Sequence, residues 1–312
     1  MSYGPRMATT VEVQRPRDLA RVADRGAVTE LQLGHDSRPQ DWSAEPELSD
    51  FTSLELLVVW ASRVETANFI GGLDLRSLYL SGKNTLADIT QLRSQRRLEA
   101  LVLDSKRLEE LRPVRELPLQ LLTARNARLR ELDVLPLRTL RRLDVAGTRV
   151  KRLAERDAPE LEYLDLSRTP LVGLQGVERM PELRRILLSN AKRVADVAPL
   201  LKCQNLNVVN LDKTAVEGEA VMRLLEGLPE LSLLSFAKTP AAESPLVPQL
   251  RELAERRRVT LGLKKWDFAI GYGFETRDIE YFLRVYRGDE NPRRHVSALG
   301  YACSYRQFSG AG

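Results

Sequence analysis

Few residues in this chain have the type and spacing that metal binding or nucleophilic catalysis requires. Its two histidines, His35 and His295, lie in opposite end regions, and neither has cysteines or carboxylates at metal-ligand spacing beside it. The cysteines, Cys203 and Cys303, lie 100 residues apart. No base is identifiable beside Cys303, and Cys203 follows an apolar stretch that is typical of a small buried side chain. The sequence therefore predicts no metal site and no cofactor.

Paired carboxylates are the remaining candidates for acid and base chemistry. Asp144 and Asp165 occupy equivalent places 21 residues apart, and two carboxylates held close together raise the pKa of one of them. Arg142 and Arg185 stand beside them, which favours an ion-pair network over an acid/base pair. We therefore predict no catalytic residue and no enzymatic activity.

The elements that position these side chains follow from a repeat in the sequence. A pattern of the form LxxLxL, with other apolar residues at some of its positions, occurs nine times. Its first leucines are Leu54, Leu75, Leu98, Leu119, Leu140, Leu161, Leu183, Leu206 and Leu231. A spacing of 21 to 25 residues predicts stacked copies of one small structural unit.

The repeat that begins at Leu161 shows how each unit is built. Leu164 and Leu166 are two residues apart, as the core-facing positions of a short strand must be. Leu174 and Val177 continue the apolar series at a spacing of three, which favours a 3₁₀ or helical return. One repeat buries too little apolar surface to offset the entropy of ordering its backbone, so the repeats must stack.

The ninth position of the middle and late repeats carries several threonines. These are Thr148, Thr169, Thr214 and Thr239. Their hydroxyls are expected to bond the backbone of the adjoining turn, and neighbouring hydroxyls to form a ladder. The first two full repeats carry Ser62 and Lys83 instead, and we expect these repeats to bulge or to carry insertions.

The pattern LxxLxLxxTxL, with returns such as residues 171–183 and 194–206, resembles the leucine-rich repeat family. The short period resembles the subclass typified by internalins. The resemblance covers about residues 28–263. It implies an α/β solenoid, a curved horseshoe with a parallel β-sheet on the concave face and short 3₁₀ or helical returns on the convex face. It also implies protein recognition on the concave sheet, but the invasion role of secreted internalins is not implied, because no signal or surface anchor is seen.

The predicted organisation has three parts. Residues 1–27 form an N-terminal segment with a short cap helix at 15–26, residues 28–263 form the solenoid, and residues 264–312 form an aromatic-rich C-terminal appendage. The segment 35–50 is a loop, which serves either as a contact element or as a packed surface loop. The appendage holds ten of the eighteen aromatic residues, and the sequence allows a cap over the last repeat, a small β-rich effector or partner-docking module, or partial disorder.

A partner is expected to contact the third, fifth and seventh positions of each repeat, which alternate with the core leucines. One predicted zone is an apolar, solvent-facing cluster: Leu56, Val58, Trp60, Tyr79, Val102 and Leu121. The other is charged and aromatic: Arg125, Arg142, Asp144, Tyr163, Asp165 and Arg185. Two intramolecular explanations stay open. The arginines and aspartates pair across strands, or the insertion around Trp42 covers the apolar zone.

Composition sets the remaining expectations. The net charge of +5 is dispersed among alternating signs, which favours a solvated surface over a nucleic-acid stripe. No apolar run is long enough to span a membrane, and the two cysteines favour a reduced, cytoplasmic protein. We predict a monomeric scaffold or adaptor, an inhibitor or immunity-type partner among the options, that binds another protein. The alternatives are a targeting module with an effector or enzymatic C-terminal segment, and a nucleic-acid binder using the basic residues 256–258, 264 and 265.

Overall fold

A computed structural model gives the structure of the chain and describes residues 9–35, 38–83 and 85–263. The predicted appendage 264–312, which includes His295 and Cys303, lies outside the described residues. The chain forms two compact units, the first ending at Leu140 and the second beginning at Arg141. The predicted limits at residues 27 and 263 remain predictions.

The first unit is a parallel sheet with one main strand in each repeat. Its strands are β1 (Thr10–Val13), β2 (Glu30–Leu33), β3 (Gln40–Asp41), β4 (Leu56–Arg63), β5 (Ser77–Lys83), β6 (Ala100–Ser105) and β7 (Leu121–Arg125). Neighbours follow the order β1-β2-β4-β5-β6-β7, and the short β3 pairs with the end of β4. The connections contain 3₁₀ helices at Pro16–Arg21, Arg25–Ala27, Asn68–Ile70, Thr90–Ser94 and Arg112–Val114.

The second unit repeats the same plan with shorter strands. They are β8 (Arg142–Asp144), β9 (Tyr163–Asp165), β10 (Arg185–Leu187), β11 (Val208–Asn210), β12 (Leu233–Ser235) and β13 (Thr260–Gly262), each parallel to the next. The returns contain 3₁₀ helices at Val177–Arg179, Ala198–Lys202 and Pro240–Glu243, and two α-helices, α1 (Gly218–Gly227) and α2 (Val247–Arg257). The last repeat ends with α2 and β13, and β13 pairs in parallel with β12.

The core of each unit is a row of apolar side chains in register. In the first unit the row is Leu31, Leu57, Leu78, Leu101 and Leu122. In the second it is Leu143, Leu164, Ile186, Val209, Leu234 and Leu261. All but Leu261 are buried. Parallel strands with core leucines in register and short helical returns confirm the leucine-rich repeat solenoid.

The turn that leaves each strand is built the same way in successive repeats. Its eighth position has a left-handed backbone in six repeats, at Asn126, Gly147, Arg168, Asn190, Lys213 and Lys238. The threonine hydroxyl that follows donates to the carbonyl three residues earlier, at 2.7 Å from Thr169 to Leu166 and 2.6 Å from Thr214 to Leu211. The predicted turn bond is therefore confirmed. These threonine hydroxyls do not donate to one another as the predicted ladder requires. Each hydroxyl has one proton, and that proton is donated to the carbonyl of its own turn.

The N-terminal part differs from the prediction in detail. Two 3₁₀ helices replace the single cap helix, because Asp24 adopts a left-handed backbone between them, with φ of 48°. The irregularity expected of the early repeats is confirmed by a register shift of β5 against β6 between Ser81 and Lys83. In the described part of the insertion at 35–50 most side chains are exposed or half-buried, and Pro46 and Leu48 are buried. Trp42 is buried, and its backbone N–H donates to the Arg63 carbonyl at 2.9 Å.

Candidate functional site

The third, fifth and seventh positions of the repeats form the face of the sheet that lies opposite the leucine core, called the non-core face below. In the first unit, register places Leu56, Ser77, Ala100 and Leu121 in one row and Val58, Tyr79, Val102 and Thr123 in the next. Trp60 begins a third row with Ser81, Asp104 and Arg125. The six predicted apolar residues therefore do come together on one face.

Their predicted exposure to solvent is wrong. Leu56, Val58, Trp60, Tyr79 and Val102 are buried, and only Leu121 is half-buried. The rings of Trp60 and Tyr79 lie 4.3 Å apart between centroids, tilted by 49°. Large rings on adjacent strands cover each other and the smaller side chains beside them. This cluster contributes packing as well as a surface, and truncating its rings will affect folding.

The predicted charged zone is divided between the two units. Arg125 belongs to the first unit, where it lies opposite Asp104 on the neighbouring strand. The other five residues belong to the second unit. Arg142, Tyr163 and Arg185 share one row of the non-core face. The guanidinium carbon of Arg142 lies 4.2 Å from the centroid of the Tyr163 ring, a cation–π contact.

Asp144 and Asp165 form the neighbouring row, and both are buried. Each Oδ1 accepts a hydrogen bond from the backbone two residues later, from Ala146 N at 3.2 Å and from Ser167 N at 2.8 Å. Asn210 makes the same bond to Asp212 N at 2.9 Å, although its side chain has no charge. The bond made by Asn210 shows that a neutral amide can hold the end of the strand in the same way.

Arg185 has no carboxylate paired with its charge among the residues that the structure describes. The residue is 7 % exposed, and its Nε is buried without a hydrogen-bond partner. Burial lowers the pKa of Arg185 to about 10, Tyr163 opposes this lowering, and the nearby charge of Arg142 adds to it. Within the described part of the chain no carboxylate pairs with this side chain, so the predicted Asp165–Arg185 ion pair is wrong.

The structure offers little chemistry elsewhere. Cys203 is buried, its thiol lies 3.5 Å from the Val177 carbonyl, and burial raises its pKa to about 11. It is therefore a neutral thiol at physiological pH and a poor nucleophile. Among the residues described, no group of three or more histidine, cysteine or acidic side chains could hold a metal ion. Over the same residues, no helix has the length and apolar character needed to cross a membrane.

The basic run at residues 256–258 is partly used by the fold. Nη2 of Arg257 donates to the Leu228 carbonyl at 2.8 Å, at the C-terminal end of α1. Arg258 ends α2 in a left-handed conformation, with φ of 57°. Arg256 remains exposed. The two lysines of the predicted basic edge lie outside the described residues, so the described edge supplies too few exposed cations for a phosphate-binding stripe.

Comparisons with known proteins support the fold. No protein-family model matches the chain, and no curated protein sequence matches it. The crystal structure of internalin InlF from Listeria monocytogenes is similar, with a TM-score of 0.54 and 17 % identity over 75 % of this chain and 72 % of that chain. The functional domain of InlJ from the same organism has a TM-score of 0.47 and 14 % identity over 70 % of this chain and 60 % of that one.

Internalin C2 of Listeria monocytogenes has a TM-score of 0.44 and 18 % identity over 65 % of this chain and 77 % of its own. The TM-scores of InlJ and internalin C2 are too low to support an argument, and the sequence identity to InlF shows a shared fold alone. Repeat spacing, strand register and the likeness to InlF agree, and the chain is a leucine-rich repeat protein in its fold.

Proposed function

We propose that this chain is a non-catalytic, monomeric scaffold or adaptor of the cytoplasm that binds another protein through the non-core face of its sheet. The observation that supports this most directly is the strand register of the second unit, which places the half-buried Arg142 and Tyr163 side chains in one row on that face. Tryptophan, tyrosine and arginine are the residues that contribute most to binding energy in protein interfaces. Inhibitor and immunity-type roles are forms of this same function.

The chemistry of the described residues favours binding over catalysis. The Cys203 thiol is buried and its pKa is raised, and Asp144 and Asp165 accept hydrogen bonds from their own strand ends. A general base requires a side chain that can accept a proton from a substrate within hydrogen-bond reach. No observation favours a nucleic-acid function of the basic edge, and the proposed effector role of 264–312 concerns residues outside those described.

The proposal is tested by placing a charge on the non-core face without disturbing its buried cluster. Leu121 in the first unit and Leu233 in the second are both half-buried on this face. Leu121→Lys and Leu233→Lys are the test variants. Val172→Lys is the matched control, because Val172 lies outside the strands and is 56 % exposed.

The full-length chain and the three variants are used as bait for affinity capture from the native cell, with quantitative mass spectrometry. We expect some partner to be recovered by both the wild-type chain and Val172→Lys. The recovered amount of that partner should be at least about tenfold lower with Leu121→Lys, Leu233→Lys or both, since desolvating an unpaired charge in an interface is costly. Circular dichroism confirms that each variant is folded. If both folded face variants recover the same partners as the wild type, the non-core face is not the binding surface.

A further inference from the structure

The row formed by Arg142, Tyr163 and Arg185 has the features of a site for an anionic group. Two guanidinium groups flank one aromatic ring, and Arg185 is enclosed by the fold with no carboxylate paired to it in the described residues. We propose that Arg185, together with Arg142 and Tyr163, binds a carboxylate on an acidic segment of the partner protein. The inference rests on the function proposed above.

The first argument is the cost of the unpaired charge. Removing a cation from water is unfavourable unless a counter-ion or several hydrogen bonds replace the lost hydration. Arg185 is 7 % exposed, burial lowers its pKa, and the positive charge of Arg142 adds to this lowering. A carboxylate bound here would supply the counter-ion that Arg185 lacks among the described residues.

The second argument is the direction from which a ligand can approach. The Nε of Arg185 is buried without a hydrogen-bond partner, so the described fold leaves hydrogen-bonding capacity of this guanidinium unused. The two terminal nitrogens present parallel N–H donors that match the two oxygens of a carboxylate. The cation–π contact of Arg142 with Tyr163 holds the second guanidinium beside the ring. An end-on, bidentate pair with Arg185 is the contact that this arrangement accepts.

The third argument separates a protein carboxylate from a nucleic-acid phosphate. Val208 lies opposite Arg185 on the next strand, and Leu187 follows it on the same face, so apolar side chains border the guanidinium. A polyanion also needs many exposed cations along its path. An acidic side chain among apolar ones, as in a peptide segment, fits this surface better.

The test uses the full-length chain and two short fluorescent peptides. One alternates glutamate with leucine, and the other replaces each glutamate by glutamine, so the two differ only in charge. Binding is followed by fluorescence anisotropy with the wild type, Arg185→Met, Arg185→Lys and Arg184→Met. Arg184 is the matched control, because it is the neighbouring arginine and is exposed. Circular dichroism and thermal melting confirm that every variant is folded.

The wild-type chain should bind the glutamate peptide at least about tenfold more tightly than the glutamine peptide. Arg185→Met should weaken binding of the glutamate peptide by about 30-fold or more, as expected when one member of an enclosed charge pair is removed. The affinity of Arg185→Lys for the glutamate peptide should lie between those of the wild type and Arg185→Met, because an ammonium group cannot form the bidentate pair. Arg184→Met should bind like the wild type.

Four results would overturn the inference. They are equal binding of the two peptides, no binding of the glutamate peptide, a charge preference that survives in Arg185→Met, and tighter Arg185-dependent binding of inorganic phosphate or oligothymidylate. Self-association that Arg185→Met abolishes, measured by sedimentation, would instead assign the site to a second copy of this chain and equally overturn it. None of these outcomes affects the Leu121→Lys and Leu233→Lys capture experiment, which tests the proposed function separately.

Discussion

Replacing Arg185 by methionine should stabilise the protein. Burial lowers the pKa of Arg185 to about 10, so the folded state holds this proton less tightly than the unfolded state does. One pKa unit corresponds to about 1.4 kcal/mol, and a lowering of this size therefore costs the folded state about 3 kcal/mol. The cost is fully present below pH 10 and is relieved only above it, so a measurement at pH 7 detects all of it.

Methionine keeps the length of the side chain, removes the charge and places a thioether beside the Tyr163 ring, a favourable contact. Some arginine packing is lost, so we expect the free energy of unfolding to rise by about 1–3 kcal/mol, in the range seen when buried ionic groups are replaced by apolar ones. For a chain of this size the melting temperature should rise by about 3–8 °C.

Urea titration followed by circular dichroism gives the midpoint and slope, and hydrogen exchange of the β9, β10 and β11 amides shows where the gain occurs. Repeat proteins can unfold in stages, so the local exchange rates carry the comparison if the slope changes. Arg184→Met, at an exposed position, should stay within about 0.5 kcal/mol of the wild type. A loss of stability in Arg185→Met, or no change, would refute the argument that this charge is an unrelieved cost.

Three further predictions follow from packing, backbone conformation and burial. Trp60→Ala should lower the free energy of unfolding by about 3–5 kcal/mol in urea titration, because the ring is buried against Tyr79; a variant as stable as the wild type would mean that the ring is exposed in solution. Gly147→Ala should lower the melting temperature by an amount equivalent to about 1 kcal/mol, because φ at Gly147 is 74°. Gly147→Asn should have nearly the wild-type melting temperature, because Asn190 occupies the equivalent turn. An equal loss of stability in both variants would point to a steric cause. Cys203 should react with iodoacetamide at pH 8 at least about 100-fold more slowly than free cysteine, measured by peptide mass spectrometry, since its pKa is about 11; rapid labelling of the folded chain would contradict its burial.

The sequence was sufficient to predict the strands and the core, because a fixed period with two leucines spaced by two residues specifies both the face and the register. It did not predict α1. That helix lies in the longest gap of the repeat series, between Leu206 and Leu231, and its buried Val221, Leu224 and Leu225 have helical spacing. The added length was a visible signal that one return has room for a full α-helix.

The burial of side chains on the non-core face could not be predicted from the repeat pattern, for a physical reason. Alternation assigns a side chain to a face, but the exposure of that side chain depends on what neighbouring strands place beside it. Leu56 and Val58 lie next to Trp60 and Tyr79 in a unit whose strands run up to eight residues, against three in the second unit. Strand length in the first unit follows from the β-branched and aromatic residues after the leucines, and the repeat pattern does not encode it.

The error at Asp165 explains why Arg185 stands out. The sequence suggested a cross-strand ion pair, but Oδ1 of Asp165 accepts the backbone N–H of Ser167, a bond available within its own turn. Local bonds of this kind form at little entropic cost. Asn210 already indicated that this position serves the backbone. An arginine enclosed without a carboxylate is a cost to folding, and a chain can retain such a cost when the same charge is neutralised on binding. The stability gain and the affinity loss expected of Arg185→Met should therefore occur in the same variant, and a variant that showed only the first would separate the buried charge from the partner site.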